Sequence, residues 1–457
     1  MKTESKFKNR IGMALAYFGG SPIFLLISGY LVYFYTNVVG LDAAMVGTIL
    51  LISRVLDGVS DVIFGNMIDR TRTKMGVCRP WVFRMAFFGM VGILSLFCVP
   101  HLEGVAQFVY VFVSYNFANT IVATIYQLSI IALPSYLTRD ADERSVIYIW
   151  ANAGQAVTQV ILSSMMFKAV LALGGDQRAW IIAAAVISFT GMVSSLIAVV
   201  LCKETVKPDE IAKATGDEAS VPFAKAVVAC IKNKYWWMIL LFVTFGTGIN
   251  VGTMTMTPYY AQYVLGDTTL ADILNTCFSF PMMIVIPFLG VIVAKVGKRN
   301  IAMTGAILLA IGSAITIVAP HNMVLLCIAA IIKSAGIGCP SAVYAAMLAD
   351  SVEYGQWKTG IRNQAILMGA QSAGGKIGQG LISAFLSWSM ALAGFVGTEA
   401  VQTAAANTAI IRLYSILPLV LAILMIIILA RYDLDKRYPQ IMKDLEERAN
   451  AHGGAEA

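Results

Sequence analysis

Long apolar runs separated by short polar segments extend along the whole chain. A helix needs about 20 predominantly apolar residues to cross the hydrocarbon core of a bilayer, and runs of that length recur throughout the 457 residues. The pattern predicts twelve transmembrane helices, near residues 11–36, 43–68, 80–100, 105–137, 145–173, 178–202, 236–264, 270–294, 300–319, 323–349, 361–395 and 404–430.

The charges of the loops support this count. Lysines and arginines follow every even-numbered span, and cytoplasmic loops of membrane proteins are enriched in these residues. On the opposite side, five loops contain neither residue: 37–42, 101–107, 266–272, 320–322 and 397–407. Arg178 is the exception. A miscounted helix would invert the side of every later loop. We therefore expect a multi-pass protein of the cell (inner) membrane with both termini in the cytoplasm.

One long polar segment, 203–235, separates six spans from six. We therefore predict an N-terminal six-helix bundle over 1–202, a cytoplasmic linker over 203–235, a C-terminal six-helix bundle over 236–431 and a cytoplasmic tail over 432–457. Glycine followed by basic residues occurs after the second and the eighth spans, which indicates a repeat of the two halves. We expect the polar tail to be partly helical and solvated.

The composition narrows the class of protein. Hydrophobic residues make up 58% of the chain and charged residues 13%, about half of the roughly 25% typical of soluble proteins. The net charge of +7 lies in the loops and forms no basic stripe, which argues against nucleic-acid binding. No metal-ligand spacing and no nucleophile–base pair is visible, so we expect neither an enzyme nor a cofactor. The expected contacts are membrane lipid and small solutes, and the expected state is a monomer.

A cluster of charged residues lies inside the second predicted span. An ionisable group at mid-membrane costs at least ~2.5–3.5 kcal/mol. Spacings of three and four residues place Arg54, Asp57 and Asp61 on one helix face, with Ser60 nearby. Two carboxylates one turn apart favour a bound cation or a shared proton. The cluster predicts a site for Na⁺ or H⁺, and the alternative is a buried Arg–Asp pair that fixes helix packing.

Further charged residues occur in later spans. Lys376 lies in a glycine-rich segment, and we expect its ammonium group to face a cavity. For Lys333, the pattern leaves snorkelling to the membrane surface, local pairing and a functional role open. Acids and bases at 350–362 suit a salt-bridge gate or a solvated loop. The residues predicted for gating or salt bridges are Arg54, Arg144, Asp350, Glu353 and Arg362.

Five segments resemble the glycoside–pentoside–hexuronide:cation symporters, a family of the major facilitator superfamily that includes melibiose permease. The segments, in family order, are Tyr33–Gly40, Asp57–Gly65, Gly76–Trp81, Ala349–Arg362 and Lys376–Gly378. The resemblance implies an all-α membrane protein with twelve transmembrane helices in two six-helix bundles, the major facilitator fold. It also implies cation binding at Asp57 and Asp61, with Ser60 in the place of an amide. A family threonine falls at Ala123, with Thr124 adjacent.

The same resemblance implies a set of substrate-binding positions. These are Lys376, Gln371 and Ser372 on span 11, Ser21 on span 1, Tyr126 on span 4, Asn152 on span 5 and Tyr344 on span 10. Two carboxylates that grip sugar hydroxyls in the melibiose permease type are absent here. Because Lys376 remains, the cavity is more positive, which suggests a hexuronide as a hypothesis.

Together these features predict a secondary active transporter. It would import a sugar or glycoside by symport with Na⁺ or H⁺, through alternating access of its two halves. The alternative is an uncoupled facilitator or an exporter of small polar solutes. The expected partners are the sugar, the coupling cation and lipid.

Overall fold

The computed structural model is helical throughout the part of the chain that it describes, which is 3–102, 104–206, 228, 230–359 and 364–453. No strand occurs in those residues. Ten of their helices are long and apolar enough to cross a membrane. Two further long helices, Leu270–Val296 and Gln364–Leu392, lie at the remaining predicted spans. The prediction of an all-α membrane protein is confirmed.

The helices are numbered α1 to α13 in chain order. The first six are α1 (Thr3–Leu26, followed by π-helical Ile27–Leu31 and Phe34–Val38), α2 (Ala43–Asp69), α3 (Arg79–Phe97), α4 (Val105–Tyr115, π-helical Asn116–Ala123 and Thr124–Leu137), α5 (Ala141–Ala172) and α6 (Gln177–Leu201). The others are α7 (Lys234–Tyr263), α8 (Leu270–Val296), α9 (Lys298–Val318), α10 (Met323–Thr359), α11 (Gln364–Leu392), α12 (Ala404–Ala430) and α13 (Leu434–Gly453).

Aspartates begin several of these helices. The side chain of Asp42 accepts a hydrogen bond from Met45 N at the start of α2, and Asp176 does the same for Ala179 N at the start of α6. Such caps satisfy amide groups that have no partner within the helix. In contrast, α10 continues to Thr359 instead of ending near residue 349. Its polar end continues the helix beyond the apolar run that predicted the span.

Contacts between helices divide the chain into two compact units. The first unit comprises Met1–Gly216, Val251–Ser279 and Gly380–Ile411, and the second comprises Asp217–Asn250, Phe280–Gln379 and Arg412–Ala457. In the first unit, a Cβ atom on Gly19 of α1 would lie 2.5 Å from the carbonyl oxygen of Gly191 in α6. In the second, one on Gly336 of α10 would lie 2.9 Å from that of Gly305 in α9. Glycines at these crossings permit close helix approach. The division into two six-helix bundles stays a prediction.

The start of α3 is bound to the end of α6 within the first unit. The Glu204 carboxylate accepts hydrogen bonds from the amides of Val77, Cys78 and Arg79 at 2.6, 2.9 and 2.8 Å. The Arg79 guanidinium donates to the carbonyl oxygen of Val199 at 2.6 and 3.0 Å. A carboxylate at a helix N-terminus and a cation at a C-terminus both suit the helix dipole.

The same arrangement recurs in the second unit, at the start of α9. The Arg299 amide donates to Asp435 Oδ2 at 3.0 Å, and its guanidinium donates to the carbonyl oxygens of Leu429 and Ala430 at 2.8 and 3.1 Å. An arginine at the start of the third helix of each half therefore binds the end of the sixth. This supports the repeat inferred from the sequence.

The tail forms the helix α13, which packs against α10. The hydroxyl of Tyr438 donates to Glu353, and Trp357 Nε1 donates to Asp444 Oδ2 at 2.9 Å. The expected helix is therefore present, and one face of it contacts α10, while residues such as Lys436 and Gln440 are exposed as in a solvated end. Just before α13, the hydroxyl of Tyr235 donates to Asp433 Oδ1 at 2.6 Å, which lowers the pKa of that carboxyl group.

Candidate cation and substrate sites

Asp57 of α2 is the buried carboxylate of the charged cluster. Its side chain is 1% exposed. Oδ2 accepts hydrogen bonds from Arg54 Nη1 at 3.2 Å and from Asn119 Nδ2 at 2.8 Å. Oδ1 accepts one from the hydroxyl of Thr120 at 2.5 Å. One cation and two neutral donors therefore surround a buried acid, as burial of a carboxylate requires.

The donors from α4 depend on its π-helical segment, Asn116–Ala123. Asn119 and Thr120 both lie in this segment and reach Asp57 from it. Asn116, in the same segment, donates to Ser53 Oγ at 2.9 Å and places its own Oδ1 3.0 Å from Thr120 Oγ1. Single π-helical turns inside α-helices are frequent at functional sites. The sequence interpretation did not select these three residues, although the polar run Asn-Phe-Ala-Asn-Thr inside an apolar span was a usable signal.

The other residues predicted for the cation site lie close by. The Ser60 hydroxyl is buried and donates to the main-chain oxygen of Asp57 at 2.9 Å. Thr124 donates to the main-chain oxygen of Asn119 at 3.4 Å. Asp61 is half-buried on the same helix. The structure thus brings Ser60 and Thr124 to the cluster through main-chain contacts, and their role as cation ligands stays a prediction.

The Arg54 side chain fits beside Asp57 because the residue of α11 that faces it, Gly380, has no side chain. A Cβ atom on Gly380 would lie 2.7 Å from Cβ and Cγ of Arg54, so a larger residue would displace the arginine side chain. Arg54 itself is 8% exposed. The predicted Arg–Asp contact is therefore present, together with donors that a simple ion pair would not need.

Tyr126 is buried inside the first unit. Its hydroxyl lies 2.7 Å from the main-chain oxygen of Ala16 and 2.7 Å from Ser195 Oγ. A Cβ atom on Gly20 would collide with its ring, so the tyrosine fills the space that the glycine leaves. The adjoining cavity is about 30 Å³, room for only one or two water molecules. Gly20 and Tyr126 therefore form a packed pair, and a contact of Tyr126 with substrate stays a prediction.

Two other substrate positions of the first unit differ in burial. The Ser21 hydroxyl donates to the main-chain oxygen of Tyr17 at 2.5 Å and is half-buried. Asn152 of α5 is exposed. Their contact with substrate also stays a prediction.

The second unit holds the remaining substrate positions. Lys376 is half-buried on α11, and Ser372 is exposed one turn earlier. Cβ atoms on Gly374 and Gly378 would collide with Leu240 and Thr244 of α7, so these glycines allow the close helix approach that the sequence predicted. Tyr344 of α10 is 38% exposed and lines a cavity. The Gln371 side chain lies outside the described part.

The predicted gating residues have unexpected partners. Asp350 pairs with Lys298, whose Nζ lies 2.6 and 2.7 Å from the two carboxylate oxygens. Glu353 accepts from Tyr438 of α13. Arg144 donates to the main-chain oxygen of Thr138 at 3.4 Å. Arg362 lies outside the described residues.

Lys333 and Arg10 are two further charged residues whose surroundings the sequence alone left open or did not indicate. Lys333 is 1% exposed, and its ammonium group lies 4.9 Å from the ring centre of Tyr414, which excludes the snorkelling alternative. Arg10 of α1 forms a two-bond pair with Glu143 of α5, at 2.9 and 2.7 Å, which the sequence interpretation missed.

Within the first unit, the ends of α1 and α7 are joined by hydrogen bonds between uncharged side chains. The Tyr33 hydroxyl donates to Gln262 Oε1 at 2.7 Å, and Asn37 Nδ2 donates to Gln262 Oε1 and to the Tyr263 hydroxyl at 2.9 and 2.7 Å. Thr36 Oγ1 lies 2.7 Å from the Tyr259 hydroxyl. We call these six residues the polar network. Tyr33, Thr36 and Asn37 belong to the motif segment Tyr33–Gly40, whereas no sequence pattern selected their partners on α7.

An acid–base cluster inside one membrane span and a lysine on a later one are typical of polytopic membrane transporters, in which such residues mark ion or substrate pathways. A family model described as MFS/sugar transport protein matches residues 15–436, and the chain therefore belongs to this family. This confirms the resemblance inferred from the five motif segments.

Individual relatives cover nearly the whole chain. The isoprimeverose transporter of Lactiplantibacillus pentosus is 29% identical over 98% of this chain and 93% of its own. The inner membrane symporter YicJ of Escherichia coli (strain K12) is 25% identical over 94% of this chain and 93% of its own. The crystal structure of the nucleoside transporter NupG superimposes with a TM-score of 0.62 at 14% identity, covering 94% of this chain and 100% of that one. This confirms the fold.

Proposed function

We propose that the protein imports a sugar or glycoside by symport with Na⁺ or H⁺. Membership of a sugar transport family and similarity to an isoprimeverose transporter and to a symporter support transport of such substrates. The observation that carries the coupling is the buried Asp57 carboxylate, bound by Arg54, Asn119 and Thr120 one helical turn from a second acid, Asp61.

Arg54 would compete with the coupling cation for Asp57. A cation or proton bound at the carboxylate would weaken the electrostatic attraction between Asp57 and Arg54, because the charge of the acid would already be compensated. Freeing a buried guanidinium is costly unless it moves to a new partner. Cation binding would therefore be linked to a local rearrangement of α2, and a ligand shifts a conformational equilibrium by its differential affinity for the two states.

The polar network supports alternating access. On the predicted topology, the ends of α1 and α7 that it joins face the outside of the cell. These bonds are made between neutral groups, so they can break and reform without the cost of separating buried charges. We propose that the network closes the outer side while substrate is released to the cytoplasm. A reporter enzyme fused after residue 457, active only in the cytoplasm, would test the orientation.

The decisive experiment measures uptake in vesicles with imposed ion gradients. A panel of neutral glycosides and hexuronides is offered while Na⁺ and pH gradients are imposed separately. We expect accumulation against a concentration gradient with one of the two ions. Asp57→Asn should reduce accumulation at least tenfold while exchange of preloaded sugar partly survives, because substrate binding remains.

A surface aspartate provides the matched control. Asp176→Asn changes a helix cap on α6 and should leave ion coupling unchanged. Full accumulation by Asp57→Asn and by Asp61→Asn would refute coupling at this site. If uptake by the unmodified protein is the same with and without the Na⁺ and pH gradients, the protein is an uncoupled facilitator.

A further inference from the structure

The second unit contains a cavity that none of the predicted cation residues lines. Its volume is about 210 Å³, and helices α7, α8, α9 and α10 surround it. Pockets that enclose whole drug-sized ligands span ~300–1,000 Å³, and a water molecule takes ~30 Å³ of liquid. The cavity therefore exceeds the space of a few trapped waters and suits one small ring rather than a complete glycoside.

Polar groups of α7 and α10 face this cavity. The carboxamide of Asn250 lines it and makes no hydrogen bond within the described part of the chain. The hydroxyls of Thr247 and Ser341 donate to the main-chain oxygens of Val243 and Ile337 at 2.6 and 2.9 Å. Because each hydroxyl has one hydrogen, these two can only accept further hydrogen bonds. Asn250 supplies two donors and one acceptor, and the Tyr344 hydroxyl supplies one more of each.

The rest of the lining is apolar. Phe242, Leu309 and Pro340 contribute carbon surface, and no charged residue occurs among the described lining residues. A sugar ring matches such a lining, since its C–H faces are apolar and its hydroxyls both donate and accept. A carboxylate-bearing ring would enter without a cationic partner, and burying an unpaired charge is costly.

We propose that this cavity binds one uncharged sugar ring of a glycoside substrate, with Asn250 as the principal hydrogen-bonding residue. The proposal rests on the proposed function and adds a substrate class, because it assigns a neutral ring to α7 and α10. Neither Asn250 nor Thr247 of α7 is among the substrate positions that the family resemblance implies, and Tyr344 of α10 is the position that the cavity shares with that set.

The test compares a two-ring and a one-ring substrate. Uptake of the best transported disaccharide from melibiose, lactose, cellobiose and isoprimeverose is measured in vesicles, with its component monosaccharides as competitors. Asn250→Ala should raise the KM for the disaccharide about five- to tenfold, as expected for the loss of one or two net hydrogen bonds. Of the two component monosaccharides, the one that does not bind in this cavity should inhibit uptake with an inhibition constant that changes less than twofold in Asn250→Ala.

A second variant changes the volume of the cavity instead of its polarity. Ser341→Leu should fill part of the cavity and reduce disaccharide uptake at least tenfold. Because Ser341 is exposed, this variant should fold even if Asn250→Ala does not. Asn300→Ala is the matched control, since that amide is exposed at the start of α9 and donates to Val296.

The outcomes separate the two proposals. If the unmodified protein transports the disaccharide and both variants keep its KM and uptake, the cavity is not a substrate site. Equal loss of disaccharide and monosaccharide transport in both variants, at normal membrane levels, would also contradict a one-ring site. If the unmodified protein transports no member of the sugar panel, the proposed function itself fails.

Discussion

Asp57 illustrates how a single buried charge depends on neighbours from another helix. A carboxylate accepts hydrogen bonds at two oxygens, and here both are used. Arg54 comes from the same helix, whereas Asn119 and Thr120 come from α4. An ion pair alone would leave part of the carboxylate unbound, and the two neutral donors complete its hydrogen bonding.

This arrangement gives a prediction for Asn119. Asn119→Leu removes the 2.8 Å donor to Asp57 and leaves Arg54 and Thr120 in place. A lost hydrogen bond to a buried charged group is worth about 1–3 kcal/mol, so the half-saturating concentration of the coupling ion should change by about five- to a hundredfold. The measurement is sugar uptake against Na⁺ or H⁺ concentration.

The exposed amide of Asn300 serves as its control, since Asn300→Leu removes an amide that donates to the main-chain oxygen of Val296. Equal ion dependence of Asn119→Leu and the unmodified protein would show that this donor has no part in coupling.

The first residues of α3 and α9 are each hydrogen-bonded to the end of a later helix. In both, the first residues of the helix bind a carboxylate and the guanidinium binds carbonyl oxygens at the end of a later helix. The two cases are unequal, because Glu204 accepts three amide hydrogen bonds and Asp435 accepts one from Arg299. The number of amides that would lose a partner sets the expected cost.

We therefore predict unequal effects of removing the two acids. Glu204→Ala leaves three amides of the α3 start without their partner, and loss of a helix cap costs about 0.5–2 kcal/mol. Asp435→Ala affects one amide and should lower the melting temperature by a smaller amount. Thermal unfolding of the purified protein in detergent compares the two, with the exposed Glu399→Ala as control. A larger decrease of the melting temperature in Asp435→Ala than in Glu204→Ala would show that the number of capped amides does not set the cost.

At the scale of the whole molecule, transport requires that one side can open while the other is closed. Within the first unit, the polar network joins the ends of α1 and α7 through neutral groups alone. Nearby, a Cβ atom on Gly397 would collide with the main-chain oxygen of Thr36, so the loop before α12 also packs against the end of α1. Contacts between neutral groups stabilise this conformation by a modest free energy, so they can break and reform.

Weakening the network should therefore favour opening toward the outside. Asn37→Ala removes the donor to Gln262 and Tyr263, and each hydrogen bond contributes about 0.5–1.5 kcal/mol. Loss of both bonds predicts about five- to a hundredfold faster labelling of a cysteine placed at the buried Thr255 by a membrane-impermeant maleimide, in a background without the seven native cysteines. Thr190→Val, an exposed position on α6, is the control. Unchanged labelling would mean that the network does not close the outer side.

Several helices could be predicted to within a few residues, whereas α1 begins earlier and α10 ends later than the apolar runs indicate. The spans expected at 43–68 and 404–430 are the helices Ala43–Asp69 and Ala404–Ala430. The positions of Arg54 and Asp57 on one face also followed from helical spacing, and the structure confirms their contact. These features depend on residues that are close in sequence, and the hydrophobic pattern reports them directly.

The partners across helices could not be predicted. The Asp350 carboxylate pairs with Lys298, 52 residues away, and Glu204 binds amides more than 120 residues away. The π-helical segment that brings Asn119 to Asp57 has no signature in apolar periodicity. The ring of Tyr126 occupies the space beside Gly20 of α1, a contact between helices that the sequence does not indicate.

By itself, the sequence therefore determined the membrane class, the places of the long apolar helices, the family and the charged face of α2. Each of these follows from local hydrophobicity, loop charge or a short motif. The tertiary structure decided which neutral groups complete the Asp57 site, where Asn250 and Tyr344 share a cavity, and how the tail binds α10. The physical reason is that a buried polar group must find its partners among whichever helices pack around it, and that packing is a property of the whole fold.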